Sequence, residues 1–166
     1  PEVAREAIRA RLENRAPRPE IAPHGALGRP VPLFVTLKIE GELRGCMGEL
    51  ATHHEDLVEE TMDRAVAAAF EDPRFPALAS AELDRTEIDV TLLGPLEPVG
   101  STAELDPQRY GVEVTSRKGY RAVLLPDIEG IDTVDEQVRI ACRKAGIDPE
   151  EGVAIRRFEA LKIEEK

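Results

Sequence analysis

The residues best suited to chemistry lie in one short segment, Leu43-Arg44-Gly45-Cys46-Met47-Gly48. If this segment is extended, alternate side chains share a face, so Arg44 and Cys46 are predicted to lie side by side. A guanidinium beside a thiol favours the thiolate, the form that acts as a nucleophile or metal ligand. Glycines on both sides of Cys46 would leave backbone amides open to a substrate oxygen, as an oxyanion site requires. The segment therefore predicts a site that uses Cys46 and Arg44.

A structural interpretation of the same segment stays open. Free cysteine is often buried and inert, and glycine often serves a tight turn whose dihedral angles exclude other residues. Under this interpretation, Cys46 is a small buried thiol. The second cysteine, Cys142, falls on the apolar face of a predicted helix, so a structural role is predicted for it.

The histidines give a weaker signal. His53 and His54 stand beside Glu55 and Asp56, but neighbouring residues at a helix start point in different directions, whereas helical metal ligands stand three or four residues apart. A solvated helix start is predicted, with no metal. The two histidines are close enough along the chain to Cys46 for one of them to act as its base, if the fold brings them together.

Asp72, Arg74 and Phe75 form a polar and aromatic turn after the longest predicted helix. Prolines around the turn favour a helix stop in which Asp72 caps the helix and Phe75 packs. The functional alternative is the rim of a groove.

The helices that frame these residues are predicted from apolar periodicity. Residues 3–12 show helical spacing, and residues 16–32 are an extended proline-rich connector. Thr52 and Glu55 resemble a capping box before a helix whose apolar ridge ends at Phe70, and Thr133 and Glu136 resemble a second one. Gly146 is the predicted C-terminal cap of the last helix.

The strands are predicted from alternation and turn residues. They cover residues 33–40 and 43–47 around a turn at Gly41, residues 88–92, residues 112–115 and 120–125 around a second turn, and residues 153–163. Hairpins grouped between helices favour an α+β fold over a doubly wound parallel sheet.

Composition limits the function. The 166 residues fit a single domain, and 22 Lys and Arg against 33 Asp and Glu give a formal charge of -11, which repels nucleic acid and anionic lipid. A segment able to span a membrane is not predicted, and two distant cysteines indicate a reducing cytoplasm. The numbering begins at Pro1, so a trimmed N-terminus stays open.

Several segments together resemble the AMMECR domain family. Residues 33–37 (LFVTL) with residues 43–48 (LRGCMG) resemble the family's FVTL and LRGCIG signatures, with Met47 in place of isoleucine. Residues 67–78 (AAAFEDPRFPAL) are similar to a further family segment, and the resemblance extends over essentially the whole chain, residues 1–166.

The resemblance implies an α+β fold of two unequal lobes, with a mostly antiparallel sheet flanked by helices and a groove beside the Gly-Cys hairpin. It strengthens Cys46 and Arg44 as catalytic candidates. The residues it implies for substrate contact are Thr36, Gly45, Gly48, Arg74 and Phe75.

The resemblance implies no settled reaction. Three function classes follow: an enzyme or enzyme partner using Cys46, a module that binds a small molecule or peptide in the groove, and an RNA modification protein. The last would need a basic strip to overcome the acidic charge. The resemblance also implies association with Memo-like and radical SAM proteins, and no cofactor is expected.

Overall fold

The computed structural model describes residues 1–148 and 152–165 and has a mixed α+β architecture. The helices in this part of the chain are α1 (Glu2–Leu12), α2 (Leu57–Phe70), α3 (Ser80–Leu83) and α4 (Val134–Lys144). The strands are β1 (Leu33–Ile39), β2 (Glu42–Gly48), β3 (Thr86–Leu93), β4 (Glu97–Pro98), β5 (Tyr110–Thr115), β6 (Arg121–Leu124) and β7 (Ala154–Glu164). The pairs β1–β2, β1–β3, β4–β7, β5–β6 and β5–β7 are all antiparallel, and the predicted α+β class is confirmed.

The chain forms two compact units of unequal size, and β7 contributes to both. The larger unit contains Pro1–Leu93 and the C-terminal residues from Leu161, and the smaller contains Gly94–Ala160. No helix within residues 1–148 or 152–165 combines the length and apolar character that crossing a bilayer requires.

In the larger unit, β1 lies between β2 and β3. Strand β1 alternates Leu33, Val35 and Leu37, all at most 1% exposed, with more exposed residues. Because strand side chains alternate between faces, this row covers one face of the sheet and forms a core with the helices. The helical part of that core includes Ala4, Ile8, Ala65, Ala68 and Ala69.

In the smaller unit, β5 lies between β7 and β6, and β4 pairs with β7. Val112 and Val114 of β5 pack with α4, where Ala141 and Cys142 are completely buried. Burial raises the pKa of the Cys142 thiol. The thiol is therefore enclosed, as predicted from its position on an apolar helix face.

Helix ends show where the sequence interpretation was right and where it was wrong. The Thr133 side chain accepts from the amide of Glu136, and Gly146 adopts a left-handed φ of 65° after α4, so this start and stop are confirmed. The predicted Thr52 cap is wrong, because α2 begins at Leu57 and its N-cap is Asp56. Thr52 lies too far before the helix for its side chain to reach the first free amides.

Candidate functional site at the edge of strand β2

A β-bulge places Arg44 outside the regular ladder of β2. Gly45 pairs with Leu37 and Leu43 pairs with Lys38, which leaves Arg44 as the extra residue. A bulge breaks strand alternation and redirects a side chain. Regular alternation would place the side chains of Arg44 and Cys46 on the same face of β2. The bulge at Arg44 interrupts that alternation.

The Arg44 guanidinium binds helix α3 and its preceding loop. Its Nε and Nη2 atoms lie 2.9 and 3.0 Å from the two carboxylate oxygens of Glu82, and Nη1 donates to the Pro76 carbonyl at 3.0 Å. This bidentate pair lowers the pKa of Glu82, with a further contribution from the Ala79 amide. Arg44 is therefore paired with Glu82, and its predicted role beside the Cys46 thiol stays a prediction.

Both glycines that flank Cys46 are explained by close packing. A Cβ on Gly45 would lie 2.2 Å from the Ala68 carbonyl oxygen of α2. A Cβ on Gly48 would lie 2.3 Å from the Leu33 carbonyl oxygen. Any side chain at these positions would collide with backbone, so the fold requires glycine at both. This packing accounts for the two glycines without a substrate.

The backbone of Cys46 is held by an aspartate-arginine pair. Its amide donates to Asp72 Oδ2 at 2.9 Å, and its carbonyl accepts from Arg74 Nη2 at 3.4 Å. Strand β2 is the edge of its sheet, where backbone groups would otherwise stay unpaired. We call Asp72 and Arg74 the edge clamp. Asp72 therefore holds the β1-β2 hairpin and does not simply stop α2. The Cys46 amide already donates to Asp72, so it is not the predicted oxyanion donor.

The edge clamp is a strong ion pair in a buried setting. Arg74 donates to Asp72 from Nε at 2.9 Å and from Nη2 at 2.7 Å, while its own amide donates to Oδ1 at 3.1 Å. The Asp72 side chain is 2% exposed, whereas that of Arg74 is 55% exposed. Hydrogen bonds from Arg74 hold the pKa of Asp72 well below its usual range, helped by the Cys46 amide. The Asp72 charge therefore persists at every physiological pH.

The Cys46 thiol faces away from the helices of the larger unit. It lies directly opposite Thr36 in the β1-β2 register, and its Sγ atom is 3.4 Å from Thr36 Oγ1. Thr36 in turn lies opposite Asp89 of β3, a buried residue whose carboxylate pairs with Lys38 at 3.1 Å and Lys162 at 3.4 Å. A row of thiol, hydroxyl and carboxylate therefore crosses three strands.

Phe75 completes the site beside the edge clamp. The Arg74 guanidinium carbon lies 5.5 Å from the centre of its ring, and that of Arg44 lies 6.0 Å away. Both distances suit attraction between a cation and an aromatic face. The Arg74 pKa is raised, first by the hydrogen bond to Asp72, against the effect of burial, and also by the charges of Asp72 and Cys46. Arg74 therefore lies within electrostatic range of Cys46 as well as of Asp72.

The histidines form a separate cluster before α2. Their backbone amides both donate to the buried carboxylate of Glu60, at 2.7 Å for His53 and 3.0 Å for His54. The His53 ring binds Glu49 at 2.8 Å. Among the described residues no group of three or more His, Cys, Asp or Glu side chains is arranged to hold a metal ion.

The structure thus brings together most of the predicted site residues, namely Thr36, Arg44, Gly45, Cys46, Gly48, Arg74 and Phe75. Sequence analysis missed Glu82 and Asp89. Asp89 alternates with apolar residues in its strand, so a polar face was evident, but its cross-strand neighbours depend on sheet order. Glu82 belongs to a helix of four residues, too short to show periodicity.

A family model for AMMECR1 matches residues 1–163. The chain belongs to the AMMECR1 family. A Thermotoga maritima protein is 49% identical over 142 residues, covering 84% of this chain and 80% of the relative. An Aeropyrum pernix protein is 36% identical over 173 residues, covering 95% of this chain and 74% of the relative.

AMMECR1 relatives differ in length. The Clostridium acetobutylicum protein CA_C1420 is 41% identical over 127 residues, which cover 76% of this chain and only 26% of that protein. The crystal structure of the uncharacterized protein PH0010 from Pyrococcus horikoshii is similar, with a TM-score of 0.88, 29% identity and coverage of 99% of this chain and 88% of that one. These matches confirm the family and the fold that the sequence resemblance implied.

Proposed function

We propose that this AMMECR1 protein is a binding module that holds an acidic small molecule or peptide at the surface of Cys46, Arg74 and Phe75. The observation that carries the proposal is the unequal use of the Arg74 guanidinium. Its Nε and Nη2 atoms serve the edge clamp, and Nη1 has no hydrogen-bond partner among the described residues. The side chain is more than half exposed, so Nη1 can donate to a ligand carboxylate.

The surface is preorganised for such a ligand. Asp72 fixes the position of Arg74, and Phe75 lies against the same guanidinium. Little side-chain freedom is lost on binding, which favours affinity. The Phe75 ring supplies an apolar contact next to the carboxylate position, and the half-buried Cys46 thiol borders it.

Nuclear magnetic resonance titration with glutarate and benzoate tests this function. We expect both probes to shift the resonances of Phe75 and of the Arg74 Nε group. Arg74→Gln should weaken binding by about tenfold or more, the cost of losing one charged hydrogen bond. Arg85→Gln is the matched control, because Arg85 is 61% exposed and pairs only loosely with Glu40 at 3.8 Å. Equal affinity of both variants for the probes would contradict the proposal.

A thiol enzyme is the second candidate, favoured by the partial exposure of Cys46 next to a charged arginine. Alkylation with iodoacetamide tests whether the Cys46 thiol is accessible, as both candidates require. We expect Cys46 to react in the folded protein and Cys142 only after unfolding. A binding role also predicts that Cys46→Ser retains glutarate affinity. Loss of all affinity in this serine variant would favour covalent chemistry instead.

We also propose a cytoplasmic location, a single domain and two associated protein classes. Two free cysteines support a cytoplasmic location. A single domain over residues 1–166 and association with Memo-like and radical SAM proteins rest on the family resemblance. RNA modification is disfavoured because the formal net charge of -11 repels a phosphate backbone.

A further inference from the structure

A concave surface lies between α1 and α2, and it is not part of the Cys46 site. A cavity of about 330 Å³ opens there, within the size range of small-ligand pockets. Its floor includes Ala7 of α1 and Met62 and Val66 of α2, residues that also belong to or pack on the core of the larger unit. The cavity is therefore mainly apolar and supported by fixed helices.

A lone cation stands at the mouth of this cavity. Arg11 is exposed and lies one helical turn after Ala7, so it projects from the same side of α1. Its side chain has no hydrogen bond or ion pair with any residue that the structure describes. Arg11 is therefore a cation beside an apolar cavity with no counter-ion among the described residues.

Two of the other charged groups around the cavity, Arg15 and Asp63, are in ion pairs. Arg15 binds Glu6 at 2.7 Å. On the opposite wall, Asp63 binds Arg64 and lies 3.4 Å from the His54 ring. The carboxylate of the remaining acid, Glu59, lies 3.7 Å from the same ring. Arg11 therefore has no carboxylate partner among the described residues, and the carboxylate of a bound ligand would supply one.

From this combination we infer that the cavity between α1 and α2 binds an alkyl carboxylate, with its chain on Met62 and Val66 and its carboxylate on Arg11. Burial of the chain supplies most of the affinity, and the guanidinium selects the anionic head group. The inference is independent of the function proposed for the Cys46 surface, because the two surfaces share no residue.

The chain has two methionines, and they serve as a probe of the cavity and as its control. Met62 lines the cavity, whereas Met47 lies on β2 beside Cys46. Methyl-labelled methionine allows both signals to be followed while hexanoate, octanoate and decanoate are titrated below their micelle concentrations. We expect the Met62 methyl to shift and the Met47 methyl to stay, with affinity rising roughly fourfold for each added methylene.

Charge variants test the head group. Arg11→Gln should weaken decanoate binding about tenfold and leave decanol binding within about twofold. Arg9→Gln is the matched control, since it removes the same charge from the last turn of α1 outside the cavity.

Equal decanoate affinity in the two variants would overturn the inference, as would decylamine binding as tightly as decanoate. A dimer in sedimentation whose Met62 methyl does not shift when decanoate is added would overturn it too. Failure of glutarate to bind Arg74 would leave it intact.

Discussion

At the residue scale, Asp72 is the side chain on which the Cys46 segment depends. Its carboxylate accepts from the amides of Cys46 and Arg74 and from two atoms of the Arg74 guanidinium, and it is buried. We expect Asp72→Asn to lower the free energy of unfolding by about 2 kcal/mol, because an amide cannot neutralise the guanidinium or accept the same set of bonds. Urea denaturation measures this loss. The exposed Asp132 supplies the control, and an equal effect of Asp132→Asn would argue against the edge clamp.

The Asp72 carboxylate also makes the stability of the folded protein sensitive to acid. The pKa of Asp72 is depressed from its ordinary value of 3.8, mainly by hydrogen bonds from Arg74. A depressed folded-state pKa contributes stability that is fully present above the unfolded value and is lost as the pH falls below it. Wild type should therefore lose more stability than Asp72→Asn between neutral pH and pH values under 3.8. If the free energy of unfolding changes equally with pH in the two proteins, the charge of the Asp72 carboxylate contributes nothing to stability.

At the element scale, the approach of β2 to α2 explains why Gly45 is required. Gly45→Ala would press a methyl group against the Ala68 carbonyl, so we expect a loss of about 3 kcal/mol and a shift of the hairpin. Gly41→Ala is the matched comparison, because Gly41 has a φ of 81° with open space around it and should lose about 1–2 kcal/mol. Calorimetry of both variants tests the ranking, and similar losses would remove the argument from packing.

Helix starts permit a second test at this scale. Asp56→Ala should lower stability by about 1 kcal/mol, since Asp56 accepts from the Glu59 amide at 2.8 Å. Thr52→Ala, which removes the residue that the sequence pattern favoured as the cap, should have almost no effect. A larger loss for Thr52→Ala in thermal unfolding would restore the original interpretation.

These examples show how far sequence reasoning reaches. Alternation and helical spacing predicted β1, β3, α1 and α4 nearly to their ends, because local periodicity encodes them. Glycine inside a strand, as at Gly45, is typical of a bulge or a close backbone approach, but which residue is the extra one depends on the register between two strands. Sequence spacing also does not show that the Cys46 carbonyl accepts a hydrogen bond from Arg74, because Arg74 is distant along the chain.

At the scale of the whole molecule, the larger unit is built from both ends of the chain. The chain leaves it after Leu93, forms the smaller unit and returns at Leu161. Periodicity predicted a closing strand over residues 153–163, but no local pattern shows that its last residues rejoin the first unit. The link is made by Glu165, which receives two hydrogen bonds from Arg5 of α1, at 2.6 and 2.5 Å, and one from the Ile88 amide at 3.1 Å.

The hydrogen bonds of Glu165 therefore predict that the two chain ends stabilise the larger unit together. Burial alone would raise its pKa, but Arg5 and the Ile88 amide lower it, so the folded unit favours the charged carboxylate. We expect Glu165→Gln to cost about 2 kcal/mol and to speed hydrogen exchange at the Ile88 amide. Glu164→Gln should cost less than about 0.5 kcal/mol, because its carboxylate is 66% exposed and pairs with a surface lysine. If both variants exchange the Ile88 amide at the wild-type rate, the C-terminal residues do not hold α1 to β3, and the larger unit is complete without its closing segment.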